Sequence, residues 1–183
     1  MSQLEFLKEG LKNIKTIGTI TRSSKSLCRN MVKHIDFTQT KVIVELGAGD
    51  GVITRHILEA MPPDVKLLAF EVNPKFCDIM RTIEDDRLIV VEDSAENIGK
   101  HLRQHGFSHT DCIVSAIPFV SLPKPLRTAI MDESLRTLRS GGKYIQVHYS
   151  LIVKDMYEEA FGEVDVNWVP LNVPPAFVLV CER

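Results

Sequence analysis

At 183 residues, 44% hydrophobic and 25% charged, the chain has the length and composition of one globular domain with a real core. Its formal net charge of −2 speaks against a uniformly basic nucleic-acid binder, and no apolar run approaches the roughly 20 residues that span a bilayer. Four scattered cysteines, Cys28, Cys77, Cys112 and Cys181, form no CxxC pair, which argues against a structural zinc site or a disulfide framework and fits a reduced cytoplasm.

The charge is unevenly spread. Residues 1–35 hold seven Lys/Arg against Glu5 and Glu9, a local +5, and the remainder carries −7. Such asymmetry points to a polyanionic partner, either a membrane surface or nucleic acid. The first element expected is an amphipathic helix over residues 3–17, with Leu4, Leu7, Leu11 and Ile14 on one face and Lys8, Lys12 and Lys15 flanking it. It is too polar for a signal peptide. Two uses fit it equally: a helix lying on anionic lipid with snorkelling lysines, or one that packs its leucines on the domain. A second short helix, about 24–35, follows Ser23 and Ser24, either of which can cap it.

From residue 41 onward short apolar runs alternate with helical patterns. Strands are expected at Val42–Leu46, Leu67–Glu71, Leu88–Glu92, Cys112–Ser115 and Lys143–Tyr149, with helices over 52–60, 74–84, 95–105 and 125–139. This order predicts an α/β fold with a mostly parallel sheet covered on both faces. Residues 157–169 and 176–182 read instead as two strands joined through Pro170, Pro174 and Pro175, an antiparallel hairpin at a sheet edge. No linker interrupts the pattern. The expectation is a single domain: a helical extension over 1–40, a cofactor-binding core over 41–150 and the hairpin over 151–183.

The loop Gly47-Ala48-Gly49-Asp50-Gly51 is GxGxG rather than the GxGxxG of dinucleotide sites, and alone it is weak evidence. Glu71 ends the second strand, 20 residues past Gly51, where an acid accepts hydrogen bonds from ribose hydroxyls. Asp93 ends the third, placed to approach an adenine amine. With Glu45 and Asp50 these acids make a pocket that suits an amino group and a sulfonium better than a pyrophosphate. "VELGAGDG", "FEVNP" and "VEDSA" then resemble the first three motifs of class I S-adenosylmethionine-dependent methyltransferases over residues 42–150. The resemblance implies a Rossmann-like, seven-stranded fold. It also implies that Gly47, Gly49 and Gly51 admit the methionine part, Glu71 holds the ribose and Asp93 meets the adenine. Glu45 orders the loop or reaches the amino group through water; Ala48, Val72, Ser94 and Ser115 complete the cofactor contacts.

The fourth strand runs into Ser115-Ala116-Ile117-Pro118-Phe119. rRNA adenine dimethylases carry Asn-Leu-Pro-Tyr here; this chain keeps Pro118 and an aromatic, Phe119, and has Ser115 in place of the Asn, which weakens adenine recognition. "FLKEGLKNIKTIGTITRSSKSLCRNM", "SAIPF" and "YIQVHYS" are similar to small bacterial phospholipid N-methyltransferases, over most of the chain. That resemblance implies a basic N-terminal helix on anionic lipid at the inner face of the membrane, and the amine of phosphatidylethanolamine as acceptor. It assigns Ser115 and Pro118 to the reacting amine and Phe119 to substrate binding. Arg22, Ser23, Ser24 and Lys25 are placed to bind a phosphodiester of the substrate through hydroxyls and a helix N-terminus, although Ser23 or Ser24 serves equally well as no more than a helix cap. Deprotonation falls to Tyr149 or His148, which alternate along a strand, with Tyr149 favoured. The alternatives are an rRNA adenine or other non-lipid amine as acceptor, or a cofactor-binding module without catalysis. His101, His105 and His109 recur at i, i+4 and i+8, but no acid or cysteine completes a ligand set, so a solvated surface and no metal are expected.

Overall fold

The computed structural model describes residues 23–183; the amphipathic stretch 3–17 and Arg22 lie outside the described residues. The elements are α1 (Lys25–Val32), β1 (Val42–Leu46), α2 (Val52–Ala60), β2 (Lys66–Phe70), α3 (Pro74–Arg81), β3 (Leu88–Val91), α4 (Ile98–Gln104), β4 (Thr110–Ser115), α5 (Lys124–Thr137), β5 (Leu138–His148), α6 (Lys154–Phe161), β6 (Val164–Val169) and β7 (Ala176–Glu182). Short 3₁₀ turns, Ala95–Asn97 and Phe119–Ser121, precede α4 and α5.

The strands form one seven-stranded sheet in the order β3-β2-β1-β4-β5-β7-β6. The β1–β2, β2–β3, β1–β4 and β4–β5 pairs are parallel, and β7 runs antiparallel between β5 and β6. All five residues of β1 are buried, as expected of a parallel strand covered on both faces. Its alternation divides the core. Val42, Val44 and Leu46 join Leu68, Phe70, Ile113 and Tyr144 on one side, while Ile43 joins Leu67, Cys112, Ile145 and the α1 residues Leu27 and Met31 on the other. Strand order reverses between β1 and β4, so a crevice opens beyond their carboxyl ends, where open α/β sheets bind ligands.

One segment departs from expectation. Residues 157–161 belong to helix α6, not to a strand. Met156, Tyr157, Ala160 and Phe161 form a helical stripe against the core, Lys154 pairs with Glu158 one turn on, and Gly162, at φ 85°, stops the helix. Only β6 and β7 form the hairpin. In addition, β5 begins at Leu138, earlier than the apolar run suggests, and α5 ends at Thr137. No helix among the described residues is long and apolar enough to cross a membrane.

Candidate functional site

The glycine loop leaves β1 and enters α2 through three residues in the left-handed region: Gly47 (φ 71°), Gly49 (57°) and Gly51 (80°). Gly47 and Ala48 donate their amides to the Phe70 carbonyl at 2.9 and 3.1 Å, tying the loop to the end of β2. A Cβ on Gly49 would meet nothing within 4 Å, so the backbone there faces open space. Arg55, in the first turn of α2, places Nη1 2.9 Å from the carbonyl oxygens of both Asp50 and Gly51. The motif gave no hint of this cation, although its i+4 spacing from Gly51 was available.

Glu71 follows β2 directly and is buried. Its Oε2 accepts the Gly49 amide at 2.9 Å, and its Oε1 accepts the amides of Val72 and Asn73 at 2.9 and 2.8 Å. The carboxylate thus joins the glycine loop to the β2–α3 turn, with Val72 half-buried beside it. Asp93 stands beyond β3. Its Oδ1 accepts from the Ser94 amide (2.8 Å) and Asn97 Nδ2 (2.9 Å), and His101 Nε2 lies 2.8 Å from Oδ2. Burial pushes the Asp93 carboxyl up, but the bonds from His101, Asn97 and Ser94 outweigh it and hold the group below its ordinary range. Ser94 is itself buried, capping the following 3₁₀ turn through Glu96. His101 is half-buried, edge-on to Phe70 at 5.5 Å. The solvated-surface expectation therefore holds for the exposed His105 and His109 but not for His101. No group of three or more His, Cys, Asp or Glu among the described residues could hold a metal ion.

Glu45 points to the α2 side of the sheet, 1% exposed. Its Oε2 accepts the Thr54 hydroxyl at 2.7 Å, while Oε1 is buried without a partner. Burial pushes its pKa up to about 8; the Thr54 bond opposes this and the neighbouring Glu71 charge adds to it. Between about pH 4.3, where an unfolded glutamate releases its proton, and about 8 the folded chain keeps a proton that the unfolded chain has lost. Stability from this group therefore falls as pH rises through that window and is flat above it. Replacing Glu45 with Gln removes the effect, so the melting temperature of Glu45→Gln relative to the native chain should climb from pH 5 to pH 8. A constant difference across that range would contradict the assignment.

Together the open cradle at Gly49, the orphaned buried oxygen of Glu45, the amide-bound Glu71 and the surrounding acids fit S-adenosylmethionine: a positively charged amino acid part on the loop and a ribose by Glu71. Asp93 fits this picture less freely. An adenine amine has to share an oxygen already engaged by Asn97 or His101.

The β4 end differs from the sequence-based reading in several respects. Ser115 is fully buried, its hydroxyl accepting the Ile117 amide at 3.4 Å beside the Tyr144 phenol. Counted back from Pro118, the Asn of Asn-Leu-Pro-Tyr falls on Ala116, so Ser115 does not stand in its place. Phe119 is 0% exposed, its ring edge-on to Tyr157 at 6.0 Å, which corrects the assignment of Phe119 to substrate binding. Gln146 holds the loop from β5: its Nε2 donates to the Ile117 carbonyl at 3.0 Å and the Val147 carbonyl at 2.8 Å.

The two deprotonation candidates separate by face. His148 is buried, its Nε2 2.9 Å from the Tyr157 hydroxyl, and burial lowers its pKa to about 4. Tyr149 is half-exposed beside Asn172, and burial, partly offset by that bond, raises its pKa, so its phenol stays protonated at neutral pH. Ser24 caps α1, its hydroxyl accepting the Leu27 amide at 3.2 Å, and its own amide donates to Asn172 Oδ1 at 2.9 Å. The Ser23 carbonyl lies 3.9 Å from Cys28 Sγ. The Ser24 hydroxyl that was expected to meet a phosphodiester is thus engaged within the fold, and Asn172 is the residue that brings the α1 start and Tyr149 together.

The family model described as "Methyltransferase small domain" matches residues 15–168. The chain is similar to an ornithine lipid N-methyltransferase of Singulisphaera acidiphila, 31% identical over 179 residues that cover 96% of this chain and 93% of the relative. It is 23% identical to ribosomal RNA small subunit methyltransferase A of Thermotoga petrophila, over 86% of this chain but 63% of that protein. Among solved structures, precorrin-6y C5,15-methyltransferase from Geobacter metallireducens superposes with a TM-score of 0.69 at 16% identity, covering 90% of this chain and 92% of that one.

Proposed function

The chain belongs to the methyltransferase small domain family and uses S-adenosylmethionine as methyl donor; from that premise we propose that its acceptor is the amine head group of a membrane lipid, such as phosphatidylethanolamine, at the membrane surface. The observation that carries this reading is the similarity to a lipid N-methyltransferase along nearly the whole of both chains. Two features weaken the rRNA alternative: the match covers only part of the rRNA enzyme, and the buried Phe119 offers no ring face to a base.

In this reading Gly47, Ala48, Gly49 and Gly51 line the methionine part, Glu45 lies behind it, Glu71 binds the ribose, and Asp93, with Val72 and Ser94, borders the adenine. S-adenosylmethionine supplies a methyl group on a positively charged sulfur. The chain supplies positioning, which for a reaction between two held partners is the largest contribution available. Gln146 fixes the Ile117–Pro118 segment from behind, and Ser115 braces the same segment, so both act as positioning residues. Residues 3–17 and Arg22 dock on anionic lipid at the cytoplasmic face, each lysine contributing about 1 kcal/mol near the surface.

The amine must lose its proton before it attacks. His148 is committed to Tyr157 in the core and the Tyr149 phenol is protonated, so the proton passes to solvent. The rate should then follow the unprotonated fraction of the amine, with kcat/KM rising about tenfold per pH unit through neutrality. A rate already flat through neutrality would instead point to a base on the protein, as His148 would give with its pKa lowered to about 4. Incubation with phosphatidylethanolamine vesicles, followed by mass spectrometry of the extracted lipid, tests the acceptor; N-methylated head groups support the proposal and unmodified lipid overturns it.

A further inference from the structure

The β5 and β6–β7 ends carry apolar side chains that the core does not use. Ile152 is 78% exposed, Leu171 76% and Val173 73%, with Leu151 beside them and the half-exposed aromatics Tyr149 and Trp168 flanking them. The register brings these positions together. Phe177 pairs with both His148 and Trp168, and Ala176 pairs with Val169, so residues 149–153 and 170–175 leave the sheet side by side. Asn172 ties the two, bonding the Ser24 amide and lying within hydrogen-bond reach of the Tyr149 phenol. This edge is also the carboxyl end of β1 and β4, from which the glycine loop and the Ile117–Pro118 segment emerge.

We propose that this apolar rim is a membrane-docking surface that inserts between lipids and seats the cofactor crevice on the bilayer. The inference rests on the lipid-amine reading above and adds a second contact to the one assigned to residues 3–17. Three observations favour a bilayer as the occupant. The apolar residues sit at protruding tips rather than in a groove, as insertion into lipid requires. Tyr149 and Trp168, each with an apolar body and a polar edge, flank the tips, and such residues settle at the level of lipid head groups. Exposed Lys25 opens α1 and exposed Lys124 opens α5 at the same end, where they meet anionic lipid; exposed acids in α6, Asp155 at its start and Glu158 and Glu159 one turn on, with Glu158 paired to Lys154, lie beside the rim.

Trp168 is the chain's one tryptophan, so the native protein carries its own reporter. The test compares the full chain with the double variant Ile152→Asp, Leu171→Asp. Neither site is buried, so both proteins should fold and bind S-adenosylmethionine alike. With vesicles of phosphatidylglycerol and phosphatidylethanolamine, native Trp168 emission should shift to the blue and be quenched by brominated acyl chains. The variant should partition more weakly by about tenfold per replaced side chain. Equal partition of the two proteins overturns the proposal. So does an unchanged Trp168 spectrum, which would mean that residues 1–22 or a second copy already cover the rim. The two readings fail separately: rim-dependent binding without methylated lipid keeps the docking surface and removes the lipid acceptor, whereas methylated lipid from a variant that binds like the native chain does the reverse.

Discussion

Replacing Glu71 with alanine is expected to raise the Kd for S-adenosylmethionine about a hundredfold and to lower the melting temperature by about 5 °C. The two effects have separate causes. Under the proposed ribose assignment, binding loses two hydroxyl–carboxylate hydrogen bonds, worth about 1.5 kcal/mol each, which together make a factor of about a hundred. Folding loses the acceptor for three backbone amides, those of Gly49, Val72 and Asn73, and part of that loss is recovered from water at this crevice. A net cost of about 2 kcal/mol moves the midpoint of a chain this size by several degrees. Glu71→Gln refines the result, because its amide keeps one acceptor oxygen and turns the other into a donor facing either the Gly49 N–H or the Val72 and Asn73 amides. Calorimetric titration with the cofactor, alongside thermal unfolding, checks both numbers. Unchanged affinity in Glu71→Ala would remove the ribose assignment, whatever happened to stability.

The second large effect belongs to Gly47. An alanine there takes on a left-handed conformation, about 1–2 kcal/mol uphill for an L-residue. Its Cβ also comes within 3.2 Å of Ile117 Cγ1 and 3.3 Å of the Ile117 backbone nitrogen. The side chain can turn away, but the backbone atom cannot, because the Ile117 carbonyl is held by Gln146 Nε2 and the Phe119 amide. The strain therefore falls on the Ile117–Pro118 segment, which the proposed function turns toward the acceptor. Gly47→Ala should lower kcat at least about tenfold, since small displacements of held reacting groups are costly, while cofactor affinity falls less. Gly49→Ala supplies the contrast. It carries the same left-handed cost (φ 57°), but its Cβ meets no neighbour in the protein, so the fold should survive, and under the proposed site its defect should appear as lost cofactor affinity. Steady-state kinetics beside cofactor titration separates the two. Equal defects in both variants would contradict the division of the loop into an acceptor-facing and a cofactor-facing part.

Much of this arrangement was legible in the residues. The β1 run Val42–Leu46, the three glycines and the acids ending the second and third strands each occupy positions dictated by backbone geometry, and sequence spacing reports backbone geometry well. The hairpin was legible because Pro170, Pro174 and Pro175 interrupt helix formation between two apolar runs. Helix α6 was readable too, in the stripe of Tyr157, Ala160 and Phe161 before Gly162, but its apolar residues also satisfy a strand pattern when the stop signal is overlooked. What the sequence could not report is which way a side chain turns once a strand ends. Phe119 and His148 are residue types that face substrates in many enzymes, yet here they pack on Tyr157 in the core. Gln146, Asn172, Arg55 and His101 act through partners 29, 148, four or five, and eight residues away in the chain. The long-range pairs are created by the fold alone. The short ones lie within about one to two helical turns along the chain.

The most direct test of the lipid-amine proposal is a competition in one tube. The full chain is given methyl-labelled S-adenosylmethionine, vesicles of phosphatidylethanolamine and phosphatidylglycerol, and undermethylated ribosomal subunits, and the label is then partitioned between organic and aqueous phases. The proposal predicts label in the organic phase, on the lipid amine, and none in the RNA. Label confined to the RNA would contradict it and return the Ile117–Pro118 segment to base recognition.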